Sequence, residues 1–206
     1  ANGTPGTTTV HTATITDDDL PPTVTFTAGS QTDAEPVATQ TIMVALNTES
    51  GLNVTVPFTL GGTASNPADY TITASPVVIS AGATTTTITI TVVDDTLDES
   101  SETVIVNMGS PTNGTQGATT THIVTIVDDD LPPTVTFTTA SQSNAESVTQ
   151  TITVALNAAS GLDVTVPYTV GGTASNPADY TITASPVMIS AGATTTTITI
   201  TVVNDT

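Results

Sequence analysis

The chain repeats itself, and the repetition limits its fold more than any other feature. Leu20–Phe26 (LPPTVTF) returns as Leu131–Phe137, and Gly61–Val77 (GGTASNPADYTITASPV) returns unchanged as Gly171–Val187. The offset is 111 residues early and 110 later, because one residue is missing around Val148. A partial third copy opens the chain, where residues 2–19 match Asn113–Asp130. A period of this length corresponds to one small domain per repeat. The expected divisions are residues 1–19 as the last strand of a preceding repeat, 20–130 as a complete repeat and 131–206 as an incomplete one. If residues 1–19 were to complete the last copy, the fifteen residues equivalent to Leu97–Pro111 would still be missing, so simple strand donation does not close the fold. A piece of a longer repetitive chain, or of a fibre, is the expected context.

Within the complete repeat, apolar residues alternate with threonine or other small residues. Val24–Phe26, Ile42–Val44–Leu46, Val54–Val56–Phe58, Ile88–Ile90–Val92, Val104–Val106–Met108 and Val124–Ile126 all keep a period of two. That is the period of a strand with one buried face. Threonine, about a quarter of the chain, favours the same conformation because its branched Cβ suits a pleated surface. Gly, Pro and Asn punctuate the runs, and no segment carries a helical period. The fold class expected is all-β, as tandem immunoglobulin-like antiparallel sandwiches. Pro57 lacks an N–H, so it demotes the strand Asn53–Leu60 to an edge or a bulge.

The charge balance removes many functions. Nineteen acids face no lysine and no arginine, for a formal charge of -19, and there is no cysteine. Such a chain is not expected to hold nucleic-acid phosphates or to insert into a membrane. It also lacks a Schiff-base lysine, an arginine clamp, a disulfide and a thiolate metal site. No enzymatic role is expected. The acids that exist sit together, without the neighbouring cation or apolar pocket that would split their pKa values into acid and base.

The acids are grouped at strand ends. An immunoglobulin-like strand order pairs Gln40–Asn47 with Thr85–Val93, and so puts Glu35 beside Asp94 and Asp95. It pairs Glu102–Met108 with Thr121–Val127, and so puts Glu102 beside Asp128–Asp130. The loop after Leu60 carries Asp69 to the same pole, making ten acids with Asp98 and Glu99. Unneutralised, they would repel one another strongly. Hard oxygen donors without Cys or His ligands point to Ca²⁺, and a cluster this rich has room for more than one ion.

Asp94–Glu102 (DDTLDESSE) resembles the acidic signature of the Calx-beta domain. Pro67-Ala68-Asp69-Tyr70 and the closing triplet Asp128–Asp130 are similar to further segments of that family. The resemblance spans residues 20–130 and recurs in 131–206. It implies a seven-stranded sandwich with Ca²⁺ at one pole. The implied ligands are Glu35, Asp69, Asp94, Asp95, Glu99, Glu102, Asp128, Asp129 and Asp130, with the Leu97 carbonyl as an addition. Asp98 matches no ligand position and is assigned to the surroundings of the site or to solvent. In the last copy Glu146, Asp179, Asn204 and Asp205 take the equivalent places, with Asn204 removing the charge of Asp94.

The acidic triplet runs through Leu131-Pro132-Pro133 straight into the next repeat. Two prolines with fixed φ make this a short, stiff link. The site is therefore expected at a junction between repeats, where bound Ca²⁺ would stiffen a rod. The function expected is an extracellular or cell-surface structural and adhesive module. Its partners would be neighbouring repeats of the same chain or fibre. A second reading is a homopolymeric filament built through strand edges, and a third is a carbohydrate-binding module, for which the absence of tryptophan is unfavourable. Asn2, Asn53, Asn113 and Asn204 each begin an Asn-X-Thr sequence, so glycans are further candidate partners. His11 and His122 stand in step with apolar neighbours and are read as packing residues.

Overall fold

A computed structural model of the chain describes residues 2–36, 39–146 and 148–204. The described residues contain strands and no α-helix. The first copy builds a two-layer sandwich from eleven strands. One layer has the order β10 (Thr115–Gln116), β1 (Thr23–Phe26), β3 (Gln40–Leu46), β8 (Thr85–Val92) and β6 (Tyr70–Ile72). The facing layer has the order β2 (Ser30–Ala34), β11 (Thr121–Val127), β9 (Glu102–Met108) and β5 (Phe58–Gly62). A separate ribbon joins β4 (Val54–Val56) to β7 (Val77–Ile79).

The alternation in sequence becomes the inside and outside of these layers. Ile42, Val44 and Leu46 of β3 meet Ile88, Ile90 and Val92 of β8 in one core with Val104, Val106, Val124 and Ile126 from the facing layer. Thr87 and Thr91 look outward on β8. His122 is part of this interior: its Nδ1 lies 2.7 Å from the Ala28 carbonyl oxygen, and its ring meets Phe26 edge-on at 6.2 Å. It packs, as its place among apolar residues suggests.

Three long strands of the expected seven are split, which with short β10 accounts for the eleven. The clearest split falls at Pro57. The segment before it pairs with β7, and the segment after it crosses to the other layer and pairs with β9. Pro57 cannot donate to a ladder, but its carbonyl still accepts the Gly109 N–H at 2.8 Å, so the crossover keeps its available hydrogen bond. The register then runs to Gly62, whose φ of 109° and approach to the Thr103 carbonyl leave no room for a Cβ. Only glycine passes there, and the chain turns from it into the loop that carries Asp69.

Residues 2–22 form no strand and are exposed apart from Pro22, although residues 2–19 copy the stretch that contains β11. The slot between β2 and β9 is filled by β11 itself, so the segment pairs with nothing. The second copy forms one sheet in the order β12 (Val135–Phe137), β13 (Thr149–Leu156), β17 (Thr195–Val202) and β15 (Tyr180–Ile182). It adds the ribbon β14 (Val164–Val166) with β16 (Val187–Ile189). Its buried core is reduced to Val154, Leu156, Val187, Ile189 and Ile198.

Candidate metal centre

Strand pairing delivers the acids to one pole. Gln40 at the start of β3 is opposite Ile90 near the end of β8, so the chain before β3 and the chain after β8 meet. Glu102 at the start of β9 is opposite Ile126 near the end of β11. β2 runs parallel to β11 and stops beside it, where the Glu35 N–H donates to the Val127 carbonyl at 3.1 Å. Asp69 arrives just before β6 and is fixed by its own turn. The Ser65 N–H donates to the Asp69 carboxylate, and the Asp69 carbonyl accepts the Val93 N–H at 2.9 Å.

The result is two carboxylate triads that share one residue. One oxygen each from Glu35, Asp94 and Asp129 lie within 4.8 Å of one another, and the same holds for Glu35, Asp95 and Asp130. Glu35 is the buried member, 9% exposed, between two more open flanks. Around the triads stand Asp69, Glu99, Glu102 and Asp128, which all act electrostatically on the same group of carboxylates. Nine of the ten acids expected at the pole are thus brought together. Leu97, also expected here, is half-buried in the loop after β8, and its N–H donates to Asp95 Oδ1 at 2.7 Å.

Crowding raises the pKa values. Desolvation pushes Glu35 up to about 7, helped by the charges of Asp95, Asp128 and Glu99. Glu102 also rises to about 7, through desolvation and then through a hydrogen bond and charge shared with Asp69. Glu99 is raised by desolvation and by Asp95, Asp69 and Asp128. Asp130 is raised by desolvation and by Asp128, Asp129, Asp95 and Asp94. Each of these shifts measures how poorly the pole tolerates its own charge.

The donor set fits a hard divalent cation. Oδ1 of Asp128 and Oδ2 of Asp130 are shut from solvent and have no hydrogen-bond partner. Buried carboxylate oxygens left in this condition are costly unless something positive meets them. The chain itself holds no lysine or arginine to do so. Two oxygen-only triads around a shared carboxylate match the preference of Ca²⁺ for six to eight oxygens and for bridging carboxylates.

Asp98 and the second copy's acids stand apart from this cluster. Asp98 does not join the cluster. Its carboxylate instead accepts a hydrogen bond from Ser160 of the second copy, a partner nothing in the local sequence signals. In the second copy the counterparts of Glu99, Glu102 and Asp128–Asp130 lie beyond Thr206, so only part of the donor set is present, as its sequence implies. Glu146 and Asp179 line the same open pocket, and Asp179 Oδ2 accepts the Ser175 N–H at 2.6 Å as Asp69 does with Ser65. Glu146, Asp179 and Asn204 are all exposed, and among the described residues no triad forms in residues 131–204. Asp205 lies outside the described residues.

The profile of the Calx-beta domain family matches residues 17–130 and again 128–206. Among solved structures the chain resembles CBD12 from CALX1.2, at 21% identity over 89% of this chain and 75% of that one, with a TM-score of 0.48. It also resembles the apo-form Calx CBD1 domain, at 22% identity over 53% of this chain and 98% of that one, again with a TM-score of 0.48. No curated protein sequence matches.

Proposed function

The chain belongs to the Calx-beta domain family, whose domains are calcium-binding, and from that premise we propose that it is an extracellular rod module stiffened by calcium at the joint between repeats. The observation that carries this reading is the placement of the two triads. They sit where β11 ends, and Asp128–Asp130 pass within three residues, two of them proline, to Thr134 of the next copy. A cation held there bridges the loop after β8, the end of β2 and the segment that leads into the following repeat. It offsets the mutual repulsion of nine carboxylates and orders the loops that carry them.

The module acts by binding rather than by catalysis. Its work is to hold distance and direction along a repetitive surface chain, outside the cell where free calcium is plentiful. Neighbouring repeats are its first partners, and glycans on its Asn-X-Thr sites are a further addition. Self-association through strand edges is a second reading. It is supported by apolar residues left open on the second copy, Phe137 at the end of β12 and Val170 in the loop after β14, each more than half exposed.

Melting and small-angle scattering with calcium and with EGTA test the proposal. At a free calcium concentration about a hundredfold above Kd, binding adds about 2.7 kcal/mol to the first copy, so its transition should rise by roughly 10 °C. The maximum dimension should settle to a single value. An unchanged melting temperature together with an unchanged scattering profile would overturn it.

A further inference from the structure

We propose that the turn Ser160–Gly161 is a socket for the Asp98–Glu99 segment of the preceding repeat, so that one contact ties the bend between repeats to the position of a metal-site carboxylate. The Asp98 carbonyl accepts the Gly161 N–H at 3.0 Å, and the Ser160 hydroxyl reaches both that carbonyl, at 3.2 Å, and Asp98 Oδ2, at 3.0 Å. Ser160 is only 1% exposed, which is unusual for a serine in a surface turn.

The socket is shaped by hydrogen bonds of its own repeat. The Leu162 N–H donates to Ser160 Oγ at 3.1 Å, and the Gly192 N–H donates to the Ser160 carbonyl at 2.8 Å. These bonds hold the turn and leave the hydroxyl proton for Asp98. The first copy carries the same scaffold at Ser50, where the Leu52 N–H donates to Ser50 Oγ at 3.1 Å and the Gly82 N–H to the Ser50 carbonyl at 2.9 Å. Ser50 is partly exposed, and its turn borders a pocket that Asp17, Asp19 and Glu49 also line. The same scaffold stands in both copies, and at Ser160 it receives Asp98 of the preceding repeat.

Gly161 links the socket to the metal site. A Cβ there would stand 2.6 Å from Glu99 Oε1 and 2.7 Å from its Cγ, although the backbone conformation is one that any residue adopts. A methyl at this position would push the Glu99 side chain aside. At Gly51, the same position in the first copy, a Cβ would meet nothing within 4 Å. Glu99 thus touches the next repeat on one side and adjoins the carboxylate cluster on the other. Residue 159 is alanine where the first copy has Glu49, so no further acid flanks the filled socket.

Ser160 and Gly161 are positioning residues on this account, and the calcium half of the proposal rests on the reading above. The test uses the whole chain, which has no cysteine, labelled through Thr59→Cys and Thr181→Cys on exposed strand positions of the two copies. Electron paramagnetic distance measurement reports the joint, and calcium titration reports the site. Ser160→Ala should broaden the distance distribution in saturating calcium and weaken calcium binding about fivefold, since coupling between site and joint is reciprocal. Gly161→Ala should also weaken calcium binding about fivefold by displacing Glu99, while Gly51→Ala leaves both readouts at wild type. Wild-type distances and affinities in both Ser160→Ala and Gly161→Ala would overturn the socket. If the unmutated chain binds no calcium, the metal reading falls by itself, and broadening by Ser160→Ala without calcium still decides the contact.

Discussion

The two copies match closely as far as Thr206, where the second stops short of the counterparts of β9–β11, and the shared stretch is packed differently in each. Gly61–Val77 and Gly171–Val187 are identical, yet Tyr70 is buried and Tyr180 only partly so. Phe26 is 2% exposed and its counterpart Phe137 is 55% exposed. The strands that fail in the second copy are those whose partners are missing. Phe58–Gly62 is a strand because β9 pairs with it, and residues 168–172, with no such neighbour, are not. Ser30–Ala34 is a strand beside β11, and residues 141–145 are not. Turn geometry, in contrast, survives: the Ser65–Asp69 and Ser175–Asp179 turns close with the same hydrogen bonds. In this chain the turn and ladder residues order the second copy's single sheet, while the first copy's core and acidic pole are built with its facing layer.

The sharpest test of that contrast is a pair of equivalent truncations. Phe26→Ala removes a ring packed among both layers and should cost the first copy about 3–5 kcal/mol. Phe137→Ala removes a ring already half in solvent and should cost the second copy less than about 1 kcal/mol. Calorimetry on the whole chain separates the two transitions. Equal losses would mean that the second copy buries its face in some other way.

A smaller effect follows from the crowded carboxylates. Glu35 and Glu102 have folded pKa values of about 7 against an ordinary 4.5, so a proton on either favours the folded state. That contribution is complete below pH 4.5 and is lost as pH rises through 7. Without calcium, the first transition should therefore fall between pH 5 and pH 8, by roughly 5–10 °C once solvent screening at this partly open pole is allowed for. Saturating calcium takes over from the protons and should remove most of the fall. The second transition, with no clustered triad among its described residues, should move much less. A first transition that climbs from pH 5 to pH 8 in EGTA would break the assignment.

The sandwich and its acidic pole were legible because both follow from period and strand order. Alternation puts Ile88 and Ile90 inside and Thr87 and Thr91 outside, and antiparallel pairing then puts Glu102 beside the end of β11. The Pro57 crossover was half legible. The missing N–H forbids a central strand, but which layer each half joins depends on partners far along the chain. That Asp98 is no ligand was legible, but its partner was not. Its neighbours in sequence are ligand candidates, and its hydrogen-bond partner lies 62 residues away in another repeat. Ser160-Gly161-Leu162 repeats Ser50-Gly51-Leu52 without change, so repetition gave no reason to single it out.

The smallest expected effect concerns Asn204, which stands where Asp94 stands in the first copy. Restoring the acid with Asn204→Asp returns one formal charge but no cage. Glu146 is exposed where Glu35 is buried, and residues 131–206 hold no counterparts of Glu99, Glu102 or Asp128–Asp130 to close a site. The number of ions bound should stay the same, and their affinity should change by less than about twofold, because the first copy's ligands are untouched. Titration calorimetry reads both quantities. A gain of one ion per chain would show that a strand-end acid recruits its own loops, and that the second layer is not what builds the site.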